Sequence, residues 1–217
     1  MAILKFGFAD MTQTNESTTV LAALAQDPVL AKIIATGTPL SSSRSEDLYY
    51  RLLSAIVSQQ LATKVAATIF RRFTALFPDA YPAPVLVLAT PDEVLRSAGL
   101  SFQKIGYIRN VAAFAQNGKL EHGAIDAMPD EDLILHLTQI KGIGRWTAEM
   151  LLMFALERPD ILPLDDLGIQ NAFKKQYMLE EKGKALKIKM QEIAEAWRPY
   201  RTVACKYLWQ SLDNAPK

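Results

Sequence analysis

The stretch Leu137-Thr-Gln-Ile-Lys-Gly-Ile-Gly-Arg-Trp-Thr-Ala148 reads as the end of one helix, a Gly-X-Gly turn and the start of a second helix. Glycines at 142 and 144 let the backbone turn tightly where a side chain would clash, and they clear space for a bulky group to come close. A helix starting at about Gly144 aims its positive end and its first N–H groups at whatever lies over the turn. A DNA phosphate fits that place. Downstream, Pro163-Leu-Asp-Asp-Leu-Gly168 sets an acidic pair in a short connection. A grip on phosphate followed by an isolated acidic pair points to chemistry on a nucleotide.

Outward from this stretch the apolar spacing is helical. Leu48, Leu52, Leu53, Ile56 and Val57, then Leu61, Val65, Ile69, Phe73 and Leu76, recur at three- and four-residue steps. Ser58-Gln59-Gln60 interrupts that run and predicts a break between two helices, with Thr63 as cap of the second. Further helices are predicted around Thr18–Ala25, from Pro91-Asp-Glu-Val-Leu95 to near Gly99, over Gln103–Asn117, from Pro129-Asp130 into the turn, and from Pro163 to about Tyr177. A final helical pair is broken at Pro199. Residues 1–17 read as a flexible polar lead-in, Gly37–Ser43 as a loop, Phe77–Pro84 as a proline-rich connection and Glu180–Gly183 as a charged turn. No segment alternates with the period of a strand, and no repeat is evident. The fold class is all-α.

Composition narrows the function classes. With 217 residues, 50% hydrophobic and 22% charged, the chain can bury a full core as one domain or two small lobes. It has no membrane-length apolar run and no signal-peptide start, so a soluble intracellular protein is expected. The single cysteine, Cys205, excludes an internal disulfide, a cysteine-ligated zinc and a four-cysteine cluster. With only His122 and His136 beside it, no transition-metal centre is expected. The net charge of +1 argues against indiscriminate coating of nucleic acid. Residues 171–217 hold 10 Lys/Arg and 5 Asp/Glu, so this tail is +5 and the remainder −4. It is either a basic surface or a solvated helix face.

Taken together, Ile56-Val-Ser-Gln-Gln-Leu61, Lys141-Gly-Ile-Gly-Arg-Trp146 and Leu164-Asp-Asp-Leu-Gly168 resemble the helix–hairpin–helix DNA glycosylases. Within them the chain looks most like the alkylated-base branch, the 3-methyladenine DNA glycosylase II type, over roughly residues 45–212. A Gly-X-Gly alone is a weak signal; three motifs in this order are a strong one. The resemblance implies two helical lobes flanking an active-site cleft. One, residues 45–160, would carry the helix–hairpin–helix at about 131–157; the other, 1–44 plus 161–217, would carry the catalytic aspartate. Too little sequence precedes Leu48 for the β-rich domain of longer bacterial members, so the likeness is to the compact form.

The same resemblance assigns residues. Read alone, Asp165 and Asp166 fit caps of the helix that follows. The family's essential aspartate falls on Asp166, so Asp165 is expected to cap and Asp166 to face the cleft. A carboxylate there favours the oxocarbenium-like sugar and orients or deprotonates the attacking water. Trp146 stands where strand-nicking relatives carry a nucleophilic lysine, which implies a monofunctional hydrolase that leaves an abasic site. Trp146 and Trp209 match aromatic walls of the base pocket, though either fits a core residue as well. An aromatic face attracts a cationic alkylpurine by about 0.5–2 kcal/mol. Gln60 matches the plug that fills the gap left by the everted nucleotide. Ala62 is small where some close relatives have a larger side chain.

At the hairpin, Lys141, Gly142, Gly144, Arg145 and Thr147 are expected to grip phosphate. The carbonyls of Thr138, Ile140 and Ile143 would hold a structural Na+ or K+. No cofactor is required. Trp197-Arg-Pro-Tyr-Arg201 would pack beneath the pocket, and Tyr49, Tyr50 and Lys104 are candidates to line the cleft. The implied partner is duplex DNA containing 3-methyladenine, 7-methylguanine and similar bases, attacked by a monomer. Two rivals stand beside this reading: a glycosylase for etheno or deaminated bases, and a non-catalytic hairpin module. The acidic pair separates the second, since carboxylates weaken a clamp on an anionic backbone.

Overall fold

The computed structural model describes residues 18–40 and 44–213, and these are helical with no strand among them. In chain order the helices are α1 (Thr18–Leu24), α2 (Pro28–Thr36), α3 (Leu48–Ser58), α4 (Thr63–Thr74), α5 (Pro84–Ala89), α6 (Asp92–Ser97) and α7 (Phe102–Gln116). They continue as α8 (His122–Ala127), α9 (Asp130–Thr138), α10 (Arg145–Phe154), α11 (Leu167–Tyr177), α12 (Gly183–Ala194) and α13 (Arg201–Asp213). The lead-in at 1–17 and positions 41–43 of the expected loop lie outside the described residues. Helices α2, α5 and α8 were not anticipated. Each is short, and two start at a proline, which suits the first turn of a helix because no N–H is needed there.

The chain divides into two compact units. One is 45–151. The other joins the described part of 11–44 to the chain from Leu152 onward. The division falls within α10, after Leu151, where the sequence reading had drawn it at 160.

In the first unit α7 packs against α3, α5 and α6. Its Ile105, Ile108, Val111 and Ala112 are at most 1% exposed, so one face of the helix is core. Leu52, Leu53, Ile56 and Val57 bury the matching stripe of α3. A fully buried side chain of this kind contributes about 1.5–3 kcal/mol. Ser101 caps α7 by accepting the Lys104 N–H at 3.2 Å. The break after α3 is where the sequence places it, but Thr63 is not the cap. Ala62 occupies that position without a side-chain bond, and Thr63 already has helical backbone, one residue too late for its hydroxyl to serve.

In the second unit α13 packs against α11 and α2, and α12 against α11. Trp197 is buried among them, 5.3 Å from the Phe173 ring, with its indole N–H donated to Asp27 at 3.0 Å. Asp27 also caps α2 through Val29 N–H (2.8 Å) and accepts the Tyr177 hydroxyl at 2.7 Å. Arg198 and Arg201 both donate to Asp160. The Trp197–Arg201 segment is therefore structural within its own unit.

Candidate active site

The hairpin lies in the first unit. Helix α9 ends at Thr138, the turn covers 139–144, and α10 begins at Arg145. The turn closes through Gln139 N–H to the His136 carbonyl (3.3 Å), Ile140 N–H to Leu137 (3.1 Å) and Ile143 N–H to Ile140 (2.9 Å). The two glycines have different reasons. Gly142 sits at φ +108°, and a Cβ there would fall 2.4 Å from Cγ of Tyr107. The bulky group that approaches the turn is thus a residue of this chain. Gly144 has nothing within 4 Å of the place a Cβ would take. It also accepts the first helical bond, from Ala148 N–H at 3.0 Å, and has no side chain to cap the N–H groups that open α10.

Among the expected phosphate residues, Lys141 is exposed and Thr147 is buried at 8% exposure. Arg145 is committed within the unit. Its two terminal nitrogens donate to both Glu131 oxygens at 2.7 Å, and its Nε donates to Glu149 at 3.0 Å. These carboxylates raise the Arg145 pKa and Arg145 lowers that of Glu131, so the charge is answered locally. Trp146 follows in the first turn of α10, half-buried. Thr138 is the last residue of α9, so its carbonyl lies at the helix's negative end; the Ile140 carbonyl accepts the Ile143 N–H.

The junction between α3 and α4 belongs to the same unit. Gln60 is exposed and holds a left-handed backbone at φ +58°. Its neighbour Gln59 donates its side-chain amide to the Gly142 carbonyl at 2.9 Å. Lys104 donates to the Val57 carbonyl at 2.6 Å, near the end of α3, and burial lowers its pKa. Tyr49 is core: it is 6% exposed, its hydroxyl donates to the Pro82 carbonyl at 2.6 Å and burial raises its pKa. Tyr50 packs edge-on against Phe70, with ring centroids 5.0 Å apart.

The acidic pair lies in the second unit, and the capping role expected of Asp165 falls on Asp166. Asp166, not Asp165, is the N-cap of α11: its backbone is extended (φ −74°, ψ 119°) and Oδ1 accepts Ile169 N–H at 2.7 Å. The same Oδ1 accepts the Trp209 indole N–H at 2.9 Å. Asp165 is exposed and pairs with Lys187. The turn that presents Asp166 is closed by its own N–H on the Pro163 carbonyl (3.1 Å) and by the Gln170 amide on Leu164 (2.7 Å).

Trp209 is half-buried and stacked on Phe154, centroids 5.6 Å apart. A Cβ on Gly168 would fall 2.8 Å from Trp209 Nε1 and 3.0 Å from Asp166 Oδ1. The glycine of the Asp-Asp-Leu-Gly motif is what lets ring and carboxylate meet. Sequence reading missed Phe154 and Gln59, whose partners are distant in the chain, and Gln170, which bonds Leu164 six residues back. Elsewhere His122 pairs with Asp126 (3.1 Å), His136 bonds the Lys119 carbonyl (2.8 Å) and Cys205 is buried. Among the described residues no group of three or more His, Cys, Asp or Glu is placed to hold a metal, and no helix is long and apolar enough to cross a membrane.

Comparison with known proteins gives this geometry a setting. Residues 53–199 match the family model of the HhH-GPD superfamily base excision DNA repair proteins. The chain is 36% identical over 184 residues to DNA-3-methyladenine glycosylase 1 of Schizosaccharomyces pombe, covering 84% of this chain and 80% of that protein. The crystal structure of a DNA-3-methyladenine glycosidase from Bacillus halodurans is 36% identical and superposes with a TM-score of 0.82, covering 94% of each chain. A 3-methyladenine DNA glycosylase from Schizosaccharomyces pombe, in complex with abasic DNA, is 34% identical with a TM-score of 0.76, over 91% of this chain and 98% of that one.

Proposed function

This chain belongs to the HhH-GPD superfamily of base excision DNA repair proteins, and on that premise we propose that it hydrolyses the N-glycosidic bond of alkylated purines in duplex DNA. Its similarity to DNA-3-methyladenine glycosylases over most of its length supports that class. The observation that carries the chemistry is Asp166, held on Oδ1 by a backbone N–H and an indole N–H. In the reaction the C1′–N bond breaks with its electrons going to the base. Positive charge builds on the sugar, and water adds at C1′, giving up a proton that the Asp166 carboxylate accepts or passes to solvent. A carboxylate oriented by two donors before the substrate arrives stabilises that charge without having to reorganise. Alkylated purines such as 3-methyladenine and 7-methylguanine already carry positive charge, so they leave without a strong acid.

The remaining roles follow the residues' settings. Trp146, which cannot form a Schiff base, presents an aromatic face and leaves hydrolysis as the outcome. Trp209 serves chiefly to align Asp166, since its N–H and one face are occupied. Gln60 is the plug. Lys141, the Gly142–Gly144 backbone and the opening N–H groups of α10 take a phosphate, while Arg145 braces the hairpin. A Na+ or K+ on the carbonyls of Thr138, Ile140 and Ile143 would be structural, and the protein would act as a monomer inside the cell.

The test is release of methylated bases from alkylated duplex DNA by wild type and by Asp166→Asn. Asparagine keeps an oxygen for both donors and remains a good N-cap, but carries no charge. Free 3-methyladenine from wild type alone, strand breakage only after alkali, and undiminished duplex binding by the variant are expected. Equal release by the variant would remove Asp166 from the chemistry.

A further inference from the structure

We infer that Gln59 and Lys104 are positioning residues for base eversion, holding the Gln60 junction at a fixed distance from the hairpin. The inference rests on the roles proposed above for Gln60 and the hairpin, and every residue in it belongs to the unit 45–151. Gln59 crosses from the junction to the turn, its amide donating to the carbonyl of Gly142 at 2.9 Å. Lys104 fixes the other side of the junction, its ammonium donating to Val57 in the last turn of α3 at 2.6 Å. A cation suits a helix C-terminus, where carbonyls lack helical partners.

Helix α7 extends this support to the hairpin. One turn beyond Lys104, Tyr107 lies against Gly142; one turn further, Asn110 donates to the Lys141 carbonyl at 3.2 Å. Residues at three-residue spacing occupy successive turns of one helix face. A single face thus reaches both segments assigned to DNA. At the junction Gln60 holds a backbone conformation that open chain would rarely keep, φ +58°. A non-glycine residue in the left-handed region persists only where its surroundings fix it.

The consequence is specific to a paired lesion. The plug has to enter the base stack at a place set by where phosphate is held, and a displacement of about 1 Å costs on the order of 100-fold in rate. A base that is already unpaired needs little help to leave the stack. Release of 7-methylguanine is therefore measured from one duplex with the lesion opposite cytosine and one with the lesion in a single-nucleotide bulge. Wild type is compared with Gln59→Met, Lys104→Met and Gln60→Ala, and thermal melts are taken for each. Methionine matches the length of glutamine, falls one atom short of lysine, and removes the donor in both.

Gln59→Met is expected to slow release from the paired duplex by about 10- to 100-fold and from the bulge by less than about threefold. Lys104→Met should move in the same direction, and it decides the matter if Gln59→Met does not fold. Equal losses on both substrates, or none on either, overturn the inference. If Gln60→Ala fails to separate the two substrates, the plug role fails and takes the inference with it. Wild type inactive on both would instead overturn the proposed activity.

Discussion

At the scale of single residues, the telling group is the trio Asp166, Gly168 and Trp209. Trp209→Phe keeps the ring on Phe154 and removes the N–H that bonds Asp166. A hydrogen bond to a charged group contributes about 1.5–3 kcal/mol, so its loss should slow base release roughly 10- to 100-fold in single-turnover assays and lower the melting temperature by several degrees. Wild-type rates in that variant would leave the indole no part in alignment. Gly168→Ala should give the same loss by another route, because its Cβ would press on both partners; a further about 1–3 kcal/mol of overpacking should show in the melt. The sequence made the acidic pair legible but not the assignment within it. Which aspartate caps depends on which one takes the extended backbone before the helix, and two adjacent Asp residues present the same letters for either choice. Gly168 was legible as a motif letter only, since its reason is a tryptophan far along the chain.

At the scale of elements, the hairpin is two helices braced by Arg145 between Glu131 of α9 and Glu149 of α10. Arg145 holds the Glu131 carboxyl below its usual range. The stabilisation from that pair is complete above the unfolded-state pKa of Glu131 and is lost as pH falls through the lowered folded-state value. Glu131 is largely exposed, so the pair is worth under about 1 kcal/mol. Glu131→Gln should therefore melt slightly below wild type at neutral pH, with the gap closing in acid; a gap unchanged by pH would show that the ion pair contributes nothing. The i,i+4 spacing of Arg145 and Glu149 was a readable sign that this arginine is occupied. Glu131 was not readable as a partner, because the turn that brings it across is set by Gly142 and Tyr107. The Gly-X-Gly itself was legible, while the division of labour between its two glycines depends on Tyr107, which lies against Gly142 alone.

At the scale of the molecule, a net charge of +1 leaves phosphate binding to a few placed groups. Binding to duplex DNA should weaken with salt along a shallow log–log slope, and Lys141→Ala should reduce that slope by about 0.9, the share of one phosphate contact. An unchanged slope would move the phosphate off Lys141. The helical class and the hairpin could be read because long segments carry many turns of periodic signal. The short helices α2, α5 and α8 span two turns or so, too little for periodicity to rise above chance, and the division into units is a property of contacts that no local pattern encodes. One further consequence concerns Gln60. A glycine at that position would take the left-handed backbone without strain. A laboratory search for heat-tolerant variants, blind to DNA, would select that change early. It would yield a sturdier protein without the side chain proposed as the plug.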